Sequence, residues 1–250
     1  MTAAAQPADA GPLAFFKALH GAYAETIERH RGGPHLVEAV LSQAFDSFEG
    51  NVAIQAESQP PIACHKGCAT CCTLRVTATA PEALLIARFI EATRPALARI
   101  GVDLAQRVRE ADAVTRGMSE AERVKLRRRC PYIERGACLI YQVRPLACRG
   151  HASHDKRACV DAAAGRADSV PHSEAHLVVR SLVQNALQSA LRDAGYAWGT
   201  FELNHAVTLA LADDLNAAWT EGGDPFEAAA IADDIGSADM ARAFDQINGA

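Results

Sequence analysis

The stretch "SEAHLVVRSLVQNALQSALRDAGY", residues 173–196, carries apolar side chains at helical spacing from end to end. Ser173 stands where a helix starts, and Gly195 stands where one stops. Working outward, the same period recurs. "LAFFKALHGAYAETIERH" (13–30) and "HLVEAVLSQAFDSFE" (35–49) are two helices separated by Gly32, Gly33 and Pro34. "APEALLIARFIEAT" (80–93) is a short amphipathic helix with Pro81 in its first turn, and 94–117 continues the helical pattern. Ser119 and Glu122 form a capping box ahead of "RVKLRRR". "TFELNHAVTLALADDLNAAWTEGG" (200–223) reads as a further helix, followed by two weaker helical pieces in the tail. Of the 250 residues 49% are hydrophobic but only 6% aromatic, with alanine supplying much of the apolar count, a composition suited to close-packed helices. There is no internal repeat.

The middle of the chain breaks this habit. "CHKGCATCC" (64–72) holds Cys64, Cys68, Cys71 and Cys72; "CPYIERGACLIYQVRPLACRG" (130–150) holds Cys130, Cys138 and Cys148; Cys159 closes the set of eight. No cysteine lies outside 64–159. Pro60 and Pro61 end any preceding helix, and a turn at Glu134–Gly136 between two apolar stretches implies a small hairpin or knuckle. Residues 151–171 read as an irregular loop. The expected fold is mainly α, a helical domain with an embedded irregular cysteine-rich metal-binding knuckle. N-terminal helices (1–59), a cysteine-cluster segment (60–160) and C-terminal helices (161–250) together make one compact domain.

The N-terminal stretch lacks the basic start and apolar core of a signal peptide. No apolar run approaches the roughly 18 residues that would span a bilayer. The expected setting is the cytoplasm, with no membrane partner, where thiols stay reduced and clustered cysteines serve metal ligation or thiol chemistry rather than disulfides. A net charge of −5 argues against a nucleic-acid partner, and the basic run 123–130 reads as a solvated helix face. Nothing identifies a protein partner.

Scattered cysteines pack as small hydrophobes, but eight in turn-rich sequence at spacings CxxxCxxCC and Cx7Cx9Cx10C point to a metal. Thiolates are soft donors, so the occupants to consider are zinc, iron in an iron–sulfur cluster, or Cu(I). Eight cysteines could serve two tetrahedral zinc ions or one cluster with spares. Adjacent Cys71 and Cys72 point apart in most backbones, so they serve neighbouring metals, or one supports the other. On a helix, Cys64, Cys68, Cys71 and Cys72 would make a stripe about 12 Å long, too long for one ion; Gly67 and the threonines weaken that helix. CxxxCxxC is also the radical-enzyme spacing, but the alternating strands and helices of the required barrel are missing.

Buried thiolates need cations and donors nearby. Lys66, Arg75, Arg144 and Arg149 lie beside cysteines in the sequence, and Arg149, between Cys148 and a glycine, is the candidate for hydrogen bonding to sulfur. Pro145 supplies a rigid turn and Tyr141 a ring covering the site. His65, His151 and His154 are alternative ligands, whereas His172 and His176 read as ordinary helix residues. There is no phosphate-binding loop, dinucleotide fingerprint or serine nucleophile elbow.

The two cysteine knots, with "CPYI", "CLIYQVRPLACRG" and Cys159, resemble the YkgJ-type cysteine-cluster family over residues 64 to about 159. That resemblance implies zinc or iron chelation by the clustered cysteines. Some relatives are labelled iron–sulfur oxidoreductases, and a related signature occurs in a flagellin lysine N-methylase. The alternatives are therefore an iron–sulfur oxidoreductase or methyltransferase-like enzyme, and a structural zinc module for protein interaction.

Overall fold

The computed structural model describes residues 11–232 and 234–249; the N-terminal stretch 1–10, read above as carrying no targeting signal, lies outside them. The fold is mainly α. Its frame is α1 (Pro12–His30), α2 (Leu36–Gln55), α3 (Ala80–Ala98) and α8 (Glu174–Asp193). α8 packs against α1 and α2. It buries Val179, Val183, Ala186, Leu187, Ala190 and Leu191, the apolar face its sequence spacing dictates. α4 (Leu104–Thr115) and α9 (Leu203–Ala212) cover one another, and α9 also lies on α3. α10 (Leu215–Thr220) and α11 (Ser237–Gly249) finish the chain, with Trp219 and Phe244 fully buried. Among the described residues, no helix is long and apolar enough to cross a membrane.

Several elements depart from the sequence reading. The helix expected over 200–223 begins as a strand: β4 (Thr200–Glu202) pairs antiparallel with β1 (Thr77–Thr79), Ala78 facing Phe201. It then breaks at Asp213, because the Asp214 side chain accepts the Asn216 N–H and caps α10 instead of continuing α9. The continuous pattern over 94–117 is interrupted after Ala98, and Asp103 starts α4 by accepting the Gln106 N–H at 2.9 Å. The loop expected at 151–171 contains α7 (Lys156–Ala163), which Asp155 caps through the N–H groups of Arg157 and Ala158. His172 lies outside α8, in a bridge opposite Ser153. The capping box at Ser119 and Glu122 opens α5 (Glu120–Leu126) as expected.

The cysteine segment sits on this frame. β2 (Ile133–Glu134) and β3 (Ala137–Cys138) form the expected hairpin, turning through Arg135 and Gly136 at φ 48° and 83°. Both turn residues are left-handed, as a two-residue turn matching strand twist requires. α6 (Leu146–Gly150) follows and packs on α8. Tyr132, Ile140 and Leu146 insert into the same apolar cluster that runs from Phe16 to Phe244. Glu82 joins frame and segment: its carboxylate accepts the Thr79 N–H and hydroxyl at 2.8 and 2.9 Å and the Leu146 N–H at 2.7 Å. It is fully buried, and burial raises its pKa against those three donors.

Candidate metal centre

Residues 64–74 form successive turns rather than a helix, so the single-face cysteine stripe does not arise. The Cys68 N–H donates to the His65 carbonyl and the Cys72 N–H to the Ala69 carbonyl, folding the four cysteines into a tight loop. Two backbone bonds bring the distant cysteines to it. The Cys130 N–H donates to the Cys72 carbonyl at 2.7 Å, fixing the second knot against the first. The Ala63 N–H donates to the Ser153 carbonyl at 2.8 Å, and the Cys64 thiol points at the same oxygen. All eight cysteines are free thiols and half-buried.

The thiols act on one another in two groups. Burial raises the Cys64 pKa, and Cys71, Cys68 and Cys159 raise it further. Burial pushes Cys130 up to about 12, with Cys138 and Cys71 adding to it. It also drives Cys148 up, helped by Cys130, Cys138 and Cys71. Cys71 belongs to both groups; the hydrogen bond it donates to Cys72, then burial, raises its pKa strongly. Thiols held protonated in this way become good ligands once a cation replaces the proton.

Cations face one of these groups. Arg144 opposes the rise at Cys138 and Cys148, and Arg123 opposes it at Cys130. The Nε of each arginine is buried without a hydrogen-bond partner, as is the Tyr132 hydroxyl beside Cys130. Three buried donors without acceptors, gathered around three sulfurs, fit an anionic metal–thiolate group that would accept from them. Among the described residues, no three of His, Cys, Asp and Glu stand at ligating spacing, so holding an ion requires the sulfurs to turn inward.

The remaining candidates fall elsewhere. Arg149 was expected to bond sulfur, but its guanidinium donates to Glu49 and to the carbonyls of Gln142 and Arg144, and it lies over the Phe45 ring. It ties α6 to α2. Tyr141 is exposed and does not cover the cysteines; its ring carries the Arg144 guanidinium 3.8 Å from its centre. Arg75 turns toward Glu120 of α5, and Lys66 is exposed. His65 is exposed near Lys156, His154 bonds the Pro61 carbonyl, and the His151 ring meets that of His172 at 4.8 Å. Arg123 was missed because its neighbours make the run look solvated. Its own position is buried at 4% exposure, facing inward from α5. Glu202, its neighbour across β4, has a pKa raised to about 7 by burial despite Arg123.

Residues 63–165 match the model of a family described as "CxxCxxCC: Putative zinc- or iron-chelating domain". Over that segment the chain is similar to this family. Its bounds follow the structure, from the Ala63–Ser153 bond to Gly165, which closes the end of α7. The chelating domain here has three residues, not two, between its first pair of cysteines. No curated protein and no solved structure matches the chain.

Proposed function

We propose that this protein binds zinc or iron through the eight cysteines of its chelating domain, in a compartment such as the cytoplasm that keeps them reduced. The observation that carries this reading is the set of buried donors without acceptors, Arg123 Nε, Arg144 Nε and Tyr132 OH, around Cys130, Cys138 and Cys148. Leaving such groups unpaired costs about 1–3 kcal/mol each, more when charged, and thiolates on a metal would satisfy them. Zinc would be held as a closed tetrahedral thiolate site, whereas iron would supply a coloured iron–sulfur centre. Eight free thiols support a reducing setting.

The test is anaerobic purification of the full chain followed by elemental analysis and a visible spectrum. Bound zinc without colour, or bound iron with sulfur-to-iron absorption, is the expected outcome, and the two results separate the metals. A chain purified anaerobically without stoichiometric metal, and unable to take up either, would sink the reading.

A further inference from the structure

We propose that copies of this chain dock head to tail, the basic stretch that ends α5 in one copy lying against the acidic segment 213–227 of the next. The charges of the chain are segregated along its length. Residues 125–129, "KLRRR", hold Lys125, Arg127, Arg128 and Arg129 with no acid among them. Residues 213–241 hold eight acids and no base. Five of those acids, Asp213, Asp214, Glu221, Asp224 and Glu227, fall within 213–227, and all five are exposed. Lys125, Arg127 and Arg129 are exposed and Arg128 is half-buried. Exposed apolar side chains stand in both places, Val124 and Leu126 among the cations and Ile235 just beyond the acids.

Neither surface is neutralised within its own molecule. Arg127 donates to the Ala164 carbonyl at 3.0 Å and Arg128 to the Glu110 carbonyl at 3.5 Å, so backbone oxygens orient both guanidinium groups and leave their charge unmatched. Lys125 and Arg129 make no hydrogen bond or ion pair among the described residues. On the other side, Asp214 and Asp224 accept the backbone N–H groups of Asn216 and Phe226. None of the five acids has a cationic partner among the described residues. Other surface acids do, as in Glu28 with Arg31, Asp161 with Arg166 and Asp245 with Arg192. A polyanion such as RNA would suit the basic stretch and be repelled by the acidic segment. A second copy satisfies both at once. Because the two faces differ, the contact is heterologous and passes from copy to copy. Exposed ion pairs each contribute little, so the association is weak and salt-sensitive, with charge setting its orientation and encounter rate. The basic stretch runs directly into Cys130, whose N–H bonds the Cys72 carbonyl, so the docked neighbour stands beside the cysteine loop.

Sedimentation velocity of the full chain reads the contact, with reductant present so that disulfides do not report as association. The expected result is a mass that rises with protein concentration at about 0.01 M salt. The association should weaken by roughly tenfold or more at about 0.15 M, as the screening length falls from about 30 Å to about 8 Å. Lys125→Glu with Arg129→Glu should abolish it, and so should Glu221→Lys with Glu227→Lys, each double variant keeping the far-ultraviolet circular dichroism of the wild type. An equimolar mixture of the two double variants should associate again, because the intact basic stretch of one meets the intact acidic segment of the other. A wild type that stays monomeric at low salt, an association that ignores salt, or a mixture that stays monomeric would each overturn the proposal. So would a monomeric chain whose basic stretch binds single-stranded RNA instead.

Discussion

At the scale of single residues, two arginines five positions apart have exchanged the roles their sequence neighbours imply. Arg149 touches Cys148 along the chain, yet α6 carries its side chain away to Glu49, two carbonyls and the Phe45 ring. Arg144 faces the sulfurs instead, braced on Tyr141. A double comparison separates them. Arg144→Gln should weaken metal retention by roughly 10- to 100-fold in chelator competition, with little change in the urea midpoint of the metal-free protein. Arg149→Ala should do the reverse, lowering stability by about 1–3 kcal/mol through two abandoned carbonyls and lost packing, with retention nearly unchanged. Equal effects of both variants on retention would show that charge, not contact, governs the centre. The cysteines themselves were legible because clustering and residue chemistry need no geometry. The partner cations were not: adjacency in sequence says nothing about which way a side chain leaves a short helix.

At the scale of elements, the long helices could be read because periodicity and capping residues are local. α8 is the clearest case, and the hairpin carrying Cys138 could be read from its turn. α7 was missed because its eight residues offer only a short apolar stripe of small side chains, and Asp155 was the clearest mark of its start. β4 was hidden because its pairing with β1 is a long-range event inside a helix-like composition. Packing between elements is likewise invisible in sequence, and Gly150 shows it. A Cβ built there would stand 2.5 Å from the Arg180 Cβ, so α6 rests directly on the stem of α8. Gly150→Ala should push α6 outward and cost about 1–3 kcal/mol, as overpacking does. Gly21→Ala in α1, where a Cβ meets nothing within 4 Å, is the control and should stabilise by about 0.5–1 kcal/mol. Urea unfolding of the two variants tests this; a Gly150→Ala protein as stable as wild type would show that α6 is loosely seated.

At the scale of the whole molecule, the helical frame and the cysteine-bearing stretches draw on different sources of order. The apolar cluster spans α1, α2, α3, α8 and α9, and the cysteine-bearing stretches 61–74 and 130–165 lend it chiefly Tyr132, Ile140 and Leu146. Between these anchors those stretches consist of turns, a short hairpin, α6 and α7, and such pieces bury too little surface to offset their conformational entropy alone. Metal–thiolate bonds would supply the difference, because binding energy to a site absent in the unfolded chain is folding energy. Chelation should therefore open residues 61–74 and 151–165 to protease first, since they carry the fewest buried contacts. The hairpin should follow, held back by Tyr132, Ile140 and the Glu82 bond to Leu146. α8 should resist longest, because its buried face belongs to the frame. Limited proteolysis with mass mapping, with and without chelator, reads this order directly. Cleavage of α8 at the same moment as the 61–74 loop would mean that the metal holds the entire fold, and the frame would then not be an independent source of stability.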